Sequence, residues 1–180
     1  MEQNKKKTPD LILEEFNSYH AEYLYDILQD DRIYTYIPEN APVSIKALKD
    51  RYEILEKGSL KEEEIWLNYA IYSFDIGKYI GTLQATVLLN KGSITIAYIL
   101  DPKVWGEGYA SKALSIMIDD LKNKFKGFSY YAYIDTRNER SLKLIKGLDF
   151  KCIDYIEKAD FFKGSSSDEF VFAKKDQKED

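Results

Sequence analysis

Residues 95–110, TIAYILDPKVWGEGYA, constrain this chain more than any other segment. An apolar run ends at Asp101-Pro102, a short turn carries Gly106 and Gly108, and an amphipathic pattern begins at once. A strand feeding a glycine turn and then a helix N-terminus is an anion-binding device. Glycine lets the backbone approach closely, while first-turn N–H groups and the helix dipole favour phosphate. Two common phosphate motifs do not fit. A P-loop needs Lys-Ser/Thr after its second glycine, and no such segment occurs. A dinucleotide fingerprint needs a third glycine where Ser111 stands, and its strand opens a parallel βαβ unit. Here the strand closes an antiparallel meander.

The surrounding periodicity predicts the rest of the domain. Residues 11–16 read as a first strand, and Asn17 or Ser18 caps a helix with the stripe His20, Leu24, Ile27 and Leu28. Ser44 opens a second helix with Ile45, Leu48, Tyr52 and Leu55 inward. Strands follow at 65–73, 79–89 and 93–100, joined by the turns Asp75-Ile76-Gly77 and Asn90-Lys91-Gly92. The helix after the glycine turn repeats Ala110, Ala113, Leu114, Met117 and Leu121, with Lys122, Lys124 and Lys126 suiting its C-terminal dipole and Gly127 closing it. A strand at 130–135 leads to Thr136 and Glu139, a capping box for a short helix bearing Leu142 and Ile145. Two strands, near 150–156 and 168–173, complete a mixed α/β sheet covered by helices.

No repeat or Gly/Ser linker divides this run, so one domain from residue 9 to residue 174 is expected, with frayed, charged ends at 1–8 and 175–180. A chain of 180 residues buries about 70% of its unfolded surface in one core. The formal net charge of -5 disfavours nucleic acid. The basic cluster near the N-terminus has no apolar run behind it, and no segment is long enough to span a bilayer, so a cytoplasmic protein without membrane contact is expected. A lone Cys152 excludes an internal disulfide; it reads as a small apolar residue in a strand, not a nucleophile. His20, the only histidine, reads as packing, and no metal site is expected.

Beyond the bare glycines, Lys103-Val104-Trp105-Gly106-Glu107-Gly108 resembles the Gln/Arg-x-x-Gly-x-Gly/Ala acyl-CoA turn of the GNAT N-acetyltransferases. The run DPKVWGEGYASKAL is similar to that of the branch acetylating ribosomal-protein N-termini. Asn138-x-x-Ser141, Leu148-Asp149-Phe150, Asn68-Tyr69-Ala70-Ile71 and Tyr79-Ile80-Gly81 match further family elements, in order and at family spacing. The resemblance implies a mixed sheet of about seven strands flanked by about four helices. It also implies an enzyme using acetyl-CoA as acetyl donor.

In the family the fourth and fifth strands splay and the pantetheine arm enters between them, pairing with the backbone near Tyr98, Ile99 and Leu100. The pyrophosphate would rest on N–H groups from Val104 to Ala110, chiefly at Gly106, Gly108, Tyr109 and Ala110, beside Trp105. Lys103 replaces the usual Gln or Arg and offers charge without a planar fork. The reaction is direct attack of an amine on the thioester. It requires loss of the ammonium proton, a donor for the tetrahedral oxyanion near Ile99 or Leu100, and support for the thiolate. By resemblance Ser141 bonds the sulfur and Asn138 holds pantetheine or substrate. Relatives place a tyrosine seven positions after this asparagine, where Ile145 stands, and a glutamate base where Thr95 stands. A hydroxyl cannot serve as base at neutral pH. Either a carboxylate such as Asp135 works through water, or the amine arrives deprotonated. Asp149, in place of a family glycine, tolerates the left-handed conformation.

The family builds its acceptor pocket from the first two helices and the loop between the last strands. Those parts and the second strand carry Tyr34, Tyr36, Trp66, Phe161 and Phe162 among 15 tyrosines and other aromatics, with Thr95 nearby. The acceptor implied is a small-molecule amine or a protein N-terminus, and the chain is a monomer or a homodimer. A CoA-binding module with little or no transferase activity, motivated by Thr95 and Ile145, is the second reading. A structural α/β protein whose turn binds nothing is the third.

Overall fold

The computed structural model describes residues 9–175. The expected frayed ends at 1–8 and 176–180 lie outside the described residues. Lys174 and Lys175, placed by the sequence in the charged tail or at its boundary, belong to the last strand. Seven strands form one sheet in the order β1-β2-β3-β4-β5-β7-β6. They are β1 (Leu11–Glu15), β2 (Glu64–Ser73), β3 (Lys78–Leu88), β4 (Ser93–Leu100), β5 (Ser129–Asp135), β6 (Lys151–Phe162) and β7 (Ser165–Lys175). Every pairing is antiparallel except β4 with β5. Four α-helices cover it: α1 (His20–Leu24), α2 (Ile45–Lys57), α3 (Tyr109–Lys124) and α4 (Glu139–Gly147). This is the expected mixed α/β architecture.

Two cores sit on opposite faces. On one, Ala113, Leu114, Met117, Ile118 and Leu121 of α3 join Ile145 and Leu148 from the α4 region against Ile94, Ile96 and Leu100. That is the amphipathic stripe of a helix laid on alternate residues of a strand. On the other, Leu24, Leu28, Leu48 and Tyr52 pack with Phe16 and Ala70. His20 is fully buried there, stacked on Phe16 and Tyr19, and accepts a hydrogen bond at Nδ1 from the Asn17 N–H. Packing, as the sequence indicated, accounts for it.

Several local expectations change. The first helix stops at Leu24, and Ile27–Gln29 forms a separate 3-10 turn, so the predicted stripe is split between two short pieces. Ile45 is exposed at the first turn of α2, and only Leu48 and Tyr52 of that helix are buried. The helix-starting cap at α4 is Asn138, whose side chain accepts from the Ser141 N–H at 3.2 Å; Thr136 instead donates its N–H to Asp168. A helix starting at Glu139 places Asn138, not Thr136, within reach of the orphan N–H three residues on.

The largest departure is the last hairpin. Residues 157–162 and 165–167, outside the predicted strands, extend β6 and β7 into long paired strands joined by Lys163 and Gly164, both at positive φ. Such two-residue turns match the strand twist. The extension escaped the sequence reading because nearly all of β6 is exposed and shows no apolar alternation, and β7 opens on the serine run 165–167. Phe161 and Phe162 therefore lie on a strand, not a loop. Cys152 is exposed on this edge strand, not packed as an apolar residue. Asp149 adopts φ 64, the left-handed conformation expected of it.

Candidate active site

The chemistry of the β4–β5 boundary begins with Gly81. A Cβ at that position would lie 2.2 Å from the Ile99 carbonyl oxygen, so only glycine lets the end of β4 press against β3. Register runs from Leu88↔Ser93 to Gly81↔Leu100, and the Asp101 N–H continues it to Ile80. On its other edge, β4 pairs with β5 only at Ser93, Ile94 and Thr95. Residues 96–100 then diverge from β5, opening the splay that the sequence resemblance implied. Strand alternation set by Asp101 directs the backbone of Ile99 to β3 and that of Tyr98 and Leu100 into the gap. Of the three backbone positions proposed for a donor's arm, two therefore face it. The sequence resemblance includes Gly81 but gives it no role; an isolated glycine inside a strand is the available signal for close backbone approach.

Below the gap, the turn is braced from within. The Asp101 carboxylate is buried, accepts from the Lys103 N–H at 2.9 Å and pairs with Lys78 Nζ at 3.1 Å. Trp105 Nε1 donates to the Leu100 carbonyl at 3.0 Å, and the Arg140 guanidinium lies 4.6 Å from the Trp105 ring centroid. Val104 and Trp105 donate their N–H groups to Asp101 and Pro102. These two positions thus shape the turn with bonded amides. The first bond of α3 is the Lys112 N–H to Gly108, which leaves Tyr109, Ala110 and Ser111 as first-turn N–H groups. Gly106 and Gly108 sit at φ 81 and φ 90, and no protein atom lies close enough to crowd a side chain at either. Space above the turn and unbonded first-turn amides fit a diphosphate. Lys103 is exposed beside it.

Asn138 caps α4, and Ser141 lies in its first turn. Asn138 Oδ1 is engaged by the cap, so Nδ2 is the donor it has left for a ligand. Tyr98 packs against the core on the helix-covered face of β4. Burial pushes its phenol up to about 12, and its hydroxyl is buried without a hydrogen bond in the structure.

Asp135 ends β5 as a buried carboxylate. Arg137 grips it through Nε at 2.9 Å and Nη2 at 2.6 Å, and Ser167 Oγ donates at 2.6 Å. Burial raises its pKa, but these bonds outweigh burial and hold it below the usual carboxylate range. A carboxylate so stabilised is a weak base.

On the α1–α2 face, a cavity of about 160 Å³ opens beside β4. Tyr34, Tyr98 and Ile99 line it with Tyr52, Asn68, Gln84, Arg51 and Glu39. The last five escaped the sequence reading because they lie on four different elements. A second hollow of about 250 Å³ continues outward, sharing Tyr34 and Asn40 with the first. Tyr34 donates its hydroxyl to the Leu28 carbonyl at 2.8 Å. The hairpin's Lys163 closes this region by donating Nζ to the carbonyls of Tyr34 and Ile37. Tyr36 stands 6.0 Å below Arg137, Trp66 donates to Glu64 at 2.7 Å, and Phe161 is exposed on β6; with Thr95, these four do not line the cavity.

The family model for the acetyltransferase (GNAT) domain matches residues 10–151. The chain belongs to the GNAT acetyltransferase family, whose members use acetyl-CoA. No curated protein sequence matches it. Among solved structures, it is similar to the ribosomal-protein-S5-alanine acetyltransferase of Vibrio fischeri, with 17% identity, TM-score 0.82 and 96% of each chain covered. It is also similar to the microcin C7 self-immunity acetyltransferase MccE in complex with acetyl-CoA and AMP, with 18% identity, TM-score 0.81 and 93% of each chain covered. The spermidine N-acetyltransferase of Vibrio cholerae in complex with CoA and spermine shows 15% identity and TM-score 0.77, over 92% of this chain and 95% of that one. At these identities the likeness establishes a shared fold. Among the described residues, no helix is long and apolar enough to cross a membrane, and no group of three His, Cys, Asp or Glu could hold a metal ion.

Proposed function

We propose that this chain transfers the acetyl group of acetyl-CoA to a primary amine, either a small molecule or a protein N-terminus. The carrying observation is that β4 loses β5 over residues 96–100, which run straight into the glycine turn, and that Ala97, Tyr98 and Ile99 of this segment line the small cavity. Acetyl-CoA, when bound, supplies an activated acetyl thioester. Gly108 and the first-turn amides of Tyr109, Ala110 and Ser111 would hold its diphosphate, with Lys103 adding charge. Backbone groups of Tyr98 and Leu100 would pair with its amide arm, and Leu100 is the position for an oxyanion donor. Ser141 would face the sulfur and Asn138 Nδ2 the pantetheine.

The proposed acceptor cavity has room for an amine head, the adjoining hollow extends it, and Tyr34 and Tyr52 wall it with phenols whose pKa values burial raises. Among the described residues that line the cavity, Glu39 is the one carboxylate. Asp135 is engaged by Arg137 and Ser167, and Glu39 stands exposed at the cavity's rim. The amine therefore arrives deprotonated. Thr95 and Ile145 favour a second reading, a CoA-binding module with little or no transferase activity. Thiol release from acetyl-CoA, measured against a panel of polyamines, small amines and an N-terminal peptide library, separates the two. Amine-dependent release supports the transferase. Binding of acetyl-CoA without release across the panel supports the module.

A further inference from the structure

Arg140 and Trp105 come from opposite walls of the β4–β5 gap. Trp105 lies in the turn that β4 runs into, and its Nε1 donates to the Leu100 carbonyl at 3.0 Å, which pins the indole to the end of the strand. Arg140 lies in the first turn of α4, the helix that follows β5. Its guanidinium stands 4.6 Å from the Trp105 ring centroid, so the two side chains meet where the strands have diverged. Stacking uses the face of a guanidinium and leaves its N–H groups pointing outward in the plane. Arg140 is exposed, and among the described residues its guanidinium makes no hydrogen bond and no ion pair. Arg137, three residues earlier, differs in donating Nε and Nη2 to Asp135.

Resting on the donor-site reading above, we propose that Arg140 is a donor-binding residue whose guanidinium, held flat on Trp105, grips the diphosphate of acetyl-CoA in its own plane. A donor laid along Tyr98 and Leu100, with its diphosphate at the Tyr109, Ala110 and Ser111 amides, must pass the end of β4, where Trp105 holds Arg140. A diphosphate presents pairs of oxygens that match two parallel N–H groups of a guanidinium. Lys103, in the turn itself, offers charge without that fork. Arg140 supplies the fork from the opposite wall. Stacking also restricts the long side chain before the donor arrives, so less conformational freedom is lost on binding. A diphosphate held in this way bridges the turn and α4, the two walls of the gap.

The test reads binding and does not require turnover. Titration calorimetry compares CoA, dephospho-CoA and pantetheine on wild type, Arg140→Ala, Arg140→Lys, Trp105→Leu and the double variant Arg140→Ala/Trp105→Leu. CoA and dephospho-CoA share the diphosphate and differ in the 3′-phosphate, while pantetheine carries no phosphate. Arg140→Ala weakens CoA and dephospho-CoA by the same factor, about ten- to a hundredfold, the worth of a charge-assisted hydrogen bond. Pantetheine affinity stays within about twofold, and the melting temperature holds because the side chain is exposed. Arg140→Lys keeps the charge and regains only part of the loss. Trp105→Leu weakens CoA less in the Arg140→Ala background than in wild type. Full CoA affinity in Arg140→Ala, a loss confined to CoA, or an equal loss for pantetheine overturns the inference and leaves the donor site standing. Full rescue by Arg140→Lys overturns the fork, and equal effects of Trp105→Leu in both backgrounds overturn the part given to Trp105. Failure of CoA to bind wild type overturns the donor site and the inference together.

Discussion

Gly81 on β3 and the Ile99 carbonyl on β4 approach so closely that a methyl group at Gly81 would lie 2.2 Å from the oxygen. The contact ties the end of β4 to β3 at the point where β5 turns away. Gly81→Ala forces β4 into the gap. The expected outcome is a loss of about 2 kcal/mol in chemical denaturation and acetyl-CoA binding weakened by about tenfold or more. Full affinity in a destabilised variant would show that the gap does not receive the donor.

Gly106 and Gly108 separate strain from contact. Both adopt positive φ, with nothing of the protein close enough to clash. Gly106→Ala therefore costs about 1–2 kcal/mol of stability through backbone strain alone. Gly108→Trp adds bulk to the space above the first turn of α3, and its CoA affinity falls by about a hundredfold. Titration calorimetry checks it, and unchanged affinity contradicts the placement of the diphosphate.

Arg137 is needed because Asp135 is buried. Removing the guanidinium by Arg137→Ala leaves the carboxylate with Ser167 as its remaining side-chain donor and costs about 2–3 kcal/mol at neutral pH. The sign of the pH dependence follows from the lowered pKa. A carboxyl depressed in the folded state stabilises above its unfolded pKa, and that stability disappears as pH falls through the folded value. Melting temperatures of wild type and variant should therefore converge in acid, below the ordinary carboxylate range.

Lys163 clamps the β6–β7 hairpin to the carbonyls of Tyr34 and Ile37, next to the acceptor cavity. Lys163→Ala frees those carbonyls and loosens the wall bearing Tyr34. The KM for the amine should rise by about three- to tenfold, an interaction of the order of one hydrogen bond, with the KM for acetyl-CoA unchanged. Steady-state kinetics with each substrate varied in turn checks the split.

The glycine turn of the proposed donor side was legible from residues because its conformation is written in the backbone. Gly106 and Gly108 are required by φ, the apolar stripe of α3 by its helical period, and both survive any detail of packing. Asn138 was not legible as a cap, since Thr136 and Glu139 present the same capping spacing. The acceptor side was not legible. Tyr34 was found, but Trp66 and Phe161 have aromatic side chains that turn elsewhere, while Arg51, Tyr52, Asn68 and Gln84 meet across helices and strands far apart in the chain. The last hairpin was truncated because a strand exposed on both faces leaves no alternation to read.

The order of elements, the glycine turn and the helix that follows it were determined by local rules: periodicity, allowed φ and the orphan amides of a helix start. Those rules act within a few residues, so the sequence carries them in full. Packing alone decided how far β4 stays paired with β5, which carboxylate is gripped by Arg137, and that the Tyr98 hydroxyl ends up buried. Each of these depends on the distance between elements remote in the chain. That distance is set by the summed contacts of two cores on opposite faces of one sheet.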